Sequence, residues 1–304
     1  MKVTILGFLV VWALPLASSQ TPPVQHMLLV EGQPLAVWEK RAAPPRGSVL
    51  LVHGRTWSAL PAFDLQVSGE RHSLMDALVA RGYSAYALDL RGYGSSPRDS
   101  SGWDTPDRSA EDVAAALAWV AVSSGAPGKP ALLGWSNGAT VAILCAQRHP
   151  EEVSALILTG LWKHPDSVIV SVPDVGTPRR EQNTAAAAAS DFITPGAMSE
   201  KAIVAFVAAA LAADPIRTDW RHLEQWNAVD PAKIVIPTLL IQGASDPFAP
   251  TATQAAFFSR LKTADREWAV LAGADHASLI ENTQPAFVAT VVAFLERVAS
   301  QSIR

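Results

Sequence analysis

Gly134-Trp135-Ser136-Asn137-Gly138 lies between a short apolar run, Pro130-Ala131-Leu132-Leu133, and an apolar stretch from Ala139 to Gln147. A Gly-x-Ser-x-Gly between a strand and a helix reads as a nucleophile elbow, a tight turn that thrusts the serine hydroxyl out at the end of a sheet. The turn strains the serine backbone, so the residues two before and two after it must be small. Glycine meets that demand because it has no Cβ. Glycine and serine are common residues, so the weight of the motif depends on what surrounds it.

Strand-like and helix-like runs alternate on both sides. Met27 to Glu31 and Leu35 to Lys40 read as an antiparallel pair turning at Gly32, and Val49 to Val52 as a buried strand ending at His53-Gly54. Leu74 to Ala80 reads as helix and Ser84 to Leu90 as strand. Thr105-Pro106 opens a helix to about Val122, with threonine suited to the N-cap and proline to the first turn. After the strand at 130–133 and the helix to about His149, Val153 to Thr159 is another strand. The alternation then stops. Residues 163–233 carry helical stretches around 184–192, 199–213 and 217–227, divided by prolines 173, 178, 195 and 215. It resumes with strand Thr238 to Gln242, a helix near Thr251 to Leu261, strand Glu267 to Leu271 and a helix from about Gln284 to Val298. In that last helix Phe287, Val291, Phe294, Leu295 and Val298 share one face. Such alternation predicts a mostly parallel sheet covered on both faces, with 163–233 inserted as a helical cap and 20–162 and 234–304 forming the core.

Composition narrows the class. The chain has 304 residues, 49% of them hydrophobic, ample for a packed core. The formal net charge is −4 and no basic run exists, which argues against a nucleic-acid surface. Met1-Lys2, an apolar stretch from Val3 to Leu16 and Ala17-Ser18-Ser19 have the pattern of a secretory signal peptide, residues 1–19. The other readings are a buried first strand and an uncleaved anchor, for which the apolar run is short. With the signal removed, no stable membrane span is expected, and the protein is expected in the periplasm or secreted. Cys145 is the only cysteine, so no intramolecular disulfide is possible. It sits among Ile143, Leu144 and Ala146 and reads as a buried structural thiol.

A serine hydroxyl needs a base, an acid to orient the base, and donors for the oxyanion. His276, in Gly273-Ala274-Asp275-His276-Ala277, follows one strand and precedes the last helix, which singles it out among seven histidines. His53 is better placed to shape the oxyanion loop than to act as base. Asp246, in Gly243-Ala244-Ser245-Asp246-Pro247, follows strand 238–242 and is the acid candidate. An Asx turn is its simpler explanation, and the two are compatible. Asp275 is the rival, but adjacency to His276 makes it hard to fold back onto that imidazole. The order Ser136, Asp246, His276 is the Ser…Asp…His order of one of the known triad architectures. Asn137, directly after the serine, supplies one oxyanion N–H, and the loop His53-Gly54-Arg55-Thr56-Trp57 the other, with Arg55 preferred over Thr56.

Taken with Leu51-Val52-His53-Gly54 and Asp89-Leu90-Arg91-Gly92-Tyr93-Gly94-Ser95-Ser96, these segments make the chain resemble the α/β-hydrolase superfamily over roughly residues 25–300. The resemblance implies an α/β-hydrolase fold: a mostly parallel eight-stranded sheet flanked by helices, with a helical cap inserted after strand six. It implies a structural role for the Asp89–Ser96 stretch. It also argues against the haloalkane dehalogenases and epoxide hydrolases, whose nucleophile is aspartate, and requires no cofactor and no metal.

The aromatic residues Trp57, Trp135, Trp162 and Phe248 are the substrate-binding candidates; packing the cap onto the core competes as their role. The expected activity is hydrolysis of a small-molecule carboxylic ester through an acyl-enzyme. The alternatives are an amide or peptide hydrolase of the proline iminopeptidase-like type, with Glu224 or Asp219 to grip an amine, and a ligand-binding member without turnover.

Overall fold

A computed structural model describes residues 21–172 and 176–301. The expected signal peptide, 1–19, lies outside the described residues. Among the described residues, no helix is long and apolar enough to cross a membrane.

The strands of the main sheet are β1 (Val24–Val30), β2 (Gln33–Lys40), β3 (Gly47–Val52), β4 (Tyr83–Leu88), β5 (Ala131–Trp135), β6 (Leu156–Thr159), β7 (Thr238–Gly243) and β8 (Arg266–Leu271). They lie in the order β1-β2-β4-β3-β5-β6-β7-β8. β1 and β2 pair antiparallel, as does β2 with β4; every later pairing is parallel. The hairpin turn places both Glu31 (φ 50°) and Gly32 (φ 82°) in the left-handed region, as a two-residue turn matched to strand twist requires. The eight-stranded, largely parallel α/β-hydrolase sheet expected from the sequence is therefore present.

Helices cover both faces. On one, α1 (Ala59–Phe63), α2 (Leu74–Val79) and the C-terminal α8 (Gln284–Gln301) contribute Phe63, Leu74, Leu78, Phe287, Val291 and Phe294 to one cluster. On the other, α3 (Pro106–Ser123) and α4 (Asn137–Arg148) bury Val113, Leu117, Val141 and Leu144 against Leu50, Val52 and Leu132. Thr105 caps α3 by accepting the Arg108 N–H at 3.3 Å. Cys145 is fully buried on α4, and burial pushes its thiol pKa up, as suits an inert core residue.

The excursion between β6 and β7 contains α5 (Ala185–Ala189) and α6 (Glu200–Ala213), which docks Ala202, Phe206 and Ala210 onto the first cluster. Residues 217–227 are not the helix their composition suggests. Asp219-Trp220 pairs in parallel with Trp103-Asp104, His222 turns left-handed at φ 55°, and only Leu223–Ala228 winds, as 3-10 helix. Contacts with the core override helix propensity here: Thr218 Oγ1 donates to Gly92 O at 2.6 Å, and Arg221 N to Asp104 O at 3.0 Å. α7 (Thr251–Arg260) joins β7 to β8.

Candidate active site

Ser136 stands at the junction of β5 and α4 with φ 57° and ψ −120°, a conformation costing a non-glycine residue on the order of 1–3 kcal/mol. The turn holds because its surroundings over-determine it. Ser136 N donates to Thr159 O on β6 at 2.9 Å. A Cβ on Gly134 would lie 2.3 Å from Gly138 O, and one on Gly138 would lie 2.2 Å from Val52 O. Both glycines are required by backbone-to-backbone approach, the steric demand expected of an elbow.

His276 lies in the loop between β8 and α8. Its Nδ1 is 2.9 Å from Asp246 Oδ2, and both residues are buried. Asp246 is in the loop after β7, and its Oδ1 accepts the N–H groups of Phe248 (2.9 Å) and Ala249 (3.2 Å). The Asx turn and the contact with histidine thus coexist. Asp275 points elsewhere: its carboxylate accepts from Thr194 N at 2.6 Å and Ala277 N at 3.3 Å.

The imidazole is held on several sides. Trp135, inside the elbow, donates from Nε1 to His276 O at 2.7 Å and turns its ring toward the imidazole at 5.7 Å between centroids. Phe248 meets the imidazole edge-on at 5.0 Å. Gly160, at φ 63°, makes room: a Cβ there would lie 2.7 Å from His276 Cε1. Among the described residues, neither His276 Nε2 nor the Ser136 hydroxyl has a hydrogen-bond partner. Such bonds commonly close only in the substrate complex.

The loop after β3 faces the serine. A Cβ on Gly54 would lie 3.4 Å from Ser136 Cβ and 3.8 Å from Oγ. His53 Nε2 accepts the Leu90 N–H at 3.1 Å, so the ring proton is on Nδ1, which donates to Gly54 O at 2.8 Å. Burial lowers the His53 pKa to about 4, so the ring is neutral and structural. Tyr93 Oη donates to Arg55 O, and Trp220 Nε1 donates to Tyr93 Oη at 2.7 Å. The Arg55 carbonyl is pinned, and its N–H has no partner among the described residues. Asn137 N opens helix α4 beside the serine, where the helix dipole favours developing negative charge.

The Asp89 loop props this frame. Its carboxylate accepts from Trp38 Nε1, Ala59 N and Ser95 N, each at 2.9 Å. A Cβ on Gly94 would lie 2.4 Å from Asp89 Oδ2, so glycine is needed there.

Of the aromatic candidates, Trp135 and Phe248 flank the imidazole. Trp57 is buried edge-on against Phe206 of α6, 6.4 Å between centroids. Trp162 is half-buried against Trp226, itself stacked on Trp220. Glu224 contacts His222 at 3.2 Å, and Asp219 accepts the Arg180 N–H at 3.0 Å. The carboxylate of the excursion whose charge is felt at His276 is instead Asp191, whose pKa burial raises to about 6 against the pull of the histidine and of the Trp57 indole. A single acid after an alanine run carries no sequence signal for this.

A family model described as serine aminopeptidase, S33, matches residues 43–283. The fold is similar to that of a thioesterase domain from the curacin biosynthetic pathway, at TM-score 0.65 and 18% identity over 90% of this chain and 100% of that one. It is similar also to a hydrolase from Pseudomonas aeruginosa PA01, at 0.65 and 21% over 92% and 99%, and to an epoxide hydrolase from Vigna radiata, at 0.62 and 18% over 91% and 99%. No curated protein matches the sequence.

Proposed function

Because the chain belongs to the serine aminopeptidase S33 family of α/β hydrolases, we propose that it is an exported serine hydrolase that cleaves small carboxylic esters through an acyl-enzyme. The observation carrying this reading is the 2.9 Å contact of His276 Nδ1 with Asp246 Oδ2 beside an elbow serine at φ 57°. Asp246 holds the imidazole with its proton on Nδ1, so Nε2 is the face available to take the Ser136 proton. Ser136 Oγ then attacks the ester carbonyl, and the Asn137 and Arg55 N–H groups receive the oxyanion. The imidazolium gives its proton to the departing alcohol, and water attacks the acyl-enzyme by the same route. Trp135 and Phe248 flank the reacting centre as apolar walls. Serine at the elbow supports acyl transfer.

A fluorophosphonate probe should label the wild type and leave Ser136→Ala unlabelled; equal labelling would end the proposal. A panel of short and long p-nitrophenyl esters then defines the acyl preference.

Asp191 supports a second reading. A cap carboxylate interacting with His276 suits a substrate bearing an amine, and hence an aminoacyl amide or ester. Faster turnover of aminoacyl p-nitroanilides than of simple esters, lost in Asp191→Ala, would favour it.

A further inference from the structure

Asp275 and Glu281 both lie in the loop that carries His276, and each is only 1% exposed. Among the described residues, no lysine or arginine pairs with either. Asp275 Oδ2 accepts the N–H of Thr194, in the excursion between β6 and β7, and Oδ1 accepts the Ala277 N–H. Glu281 Oε2 accepts the Asp275 N–H at 3.3 Å, while Oε1 is buried and has no donor. The side chain within its reach is the Asp275 carboxylate, another acceptor. Two ionised carboxylates buried side by side repel. One proton between them replaces repulsion with a charge-assisted O–H···O⁻ bond and satisfies the orphan oxygen. Asp275, supplied with backbone donors, keeps the charge; Glu281 carries the proton.

The same loop is stitched to the same excursion again. Asn282 N donates to Ala197 O at 2.8 Å, and Asn282 Nδ2 to Gly196 O at 3.1 Å. On its other side, His276 O is tied to the elbow through Trp135 Nε1. The loop therefore stands between cap and nucleophile.

We infer that Asp275 and Glu281 share one proton and act as a positioning pair, joining segment 194–197 of the cap to the loop of His276 and so setting the imidazole's place over Ser136. The inference rests on the reading of His276 as general base. Burial, then the Asp275 carboxylate, pushes the Glu281 pKa up to about 9. Asp275 is held below its usual range: burial opposes this, and the hydrogen bonds from Glu281 and Thr194 outweigh it. The other titratable groups around the pair are Asp246, which adds repulsion to Glu281, Asp191, which faces Asp275, His276 itself, and His72, whose Nδ1 reaches Ile280 O and whose Nε2 reaches Glu70. When the shared proton leaves, the two carboxylates repel, the Thr194 contact loosens and the imidazole is released.

The sign follows from linkage. A carboxyl with a raised folded pKa binds its proton more tightly folded than unfolded. Its stabilisation is complete below the unfolded value of 4.5 and is lost as pH rises through about 9.

The test compares wild type, Glu281→Gln and Glu281→Ala. Glutamine supplies a permanent N–H to Asp275, so E281Q should keep kcat near neutral pH within about threefold and lose the wild-type decline near pH 9. E281A should lose roughly 10–100-fold in kcat with little change in KM. Melting temperature against pH gives a readout independent of turnover: the wild type should fall toward pH 9 more steeply than E281Q. An E281Q high-pH limb and melting slope identical to wild type would overturn the shared proton. Unchanged kcat in E281A would overturn the positioning role. Failure of the fluorophosphonate to label wild-type Ser136 would instead remove the reading of His276, and the melting curves would still decide the proton.

Discussion

At the scale of single residues, the site depends on atoms that are missing as much as on those present. Gly160 has no Cβ where one would sit 2.7 Å from His276 Cε1, and its φ of 63° adds strain for any side chain. Gly160→Ala should therefore displace the imidazole and lower kcat at least tenfold while probe labelling slows in parallel; a fully active alanine variant would show that the imidazole can move without cost. The two neighbouring acids separate by direction. Asp246 meets the histidine, whereas Asp275 meets Thr194 and Ala277. Asp246→Asn should lower kcat by up to ~10⁴, as the corresponding change does in the serine-protease triad. Asp275→Asn should cost far less, because asparagine can still accept the Thr194 N–H. The opposite ranking in steady-state kinetics would reassign the acid.

At the scale of elements, local chemistry and tertiary contact divide the work. The sheet strands read clearly in the sequence because buried parallel strands are short apolar runs bounded by turn residues; Val49 to Val52 is completely buried. α3 begins where Thr105-Pro106 says it should, with the hydroxyl on Arg108 N. Thr105→Ala should cost about 1 kcal/mol, visible in thermal melts as roughly 2 °C. The strand expected from Val153 is shorter, because Pro150–Glu152 winds as 3-10 helix and pairing with β5 and β7 starts at Leu156. The excursion was least legible. Its residues 217–227 have helical composition, but Thr218, Asp219 and Trp220 take their partners from the core loops at 92 and 103–104. Periodicity carries no signal for such partners.

At the scale of the whole molecule, buried acids set the pH dependence. Burial raises Asp104 to about 7, Asp89 to about 6 and Asp191 to about 6, and Glu281 stands higher still. Each binds a proton in the folded state that the unfolded chain has released, so each loses stabilising effect as pH rises through its folded value. His53 works the other way: lowered to about 4, it penalises folding below its ordinary value of 6.5. The melting temperature should therefore peak in mildly acidic buffer, near pH 5–6, and fall toward pH 9. Calorimetry across that range tests the set, and a melting temperature that climbs steadily to pH 9 would contradict it. Asp104→Asn, whose amide oxygen can still accept the Thr105 N–H while its Nδ2 donates to Ser109 Oγ, should flatten the part of the slope near neutrality.

By itself the sequence determined the order of strands and helices, the elbow around Ser136 and the positions of Asp246 and His276 after their strands. These follow from local spacing, since apolar period, turn glycines and helix caps act within a few residues. The direction of each side chain was decided only by the tertiary structure. Asp275 is next to His276 in the chain yet turns to Thr194, 81 positions away. Asn282 likewise meets Gly196 and Ala197 only when the excursion folds back over the sheet. Such contacts arise from desolvation and from donors supplied by distant backbone, and neither is written in the neighbouring residues.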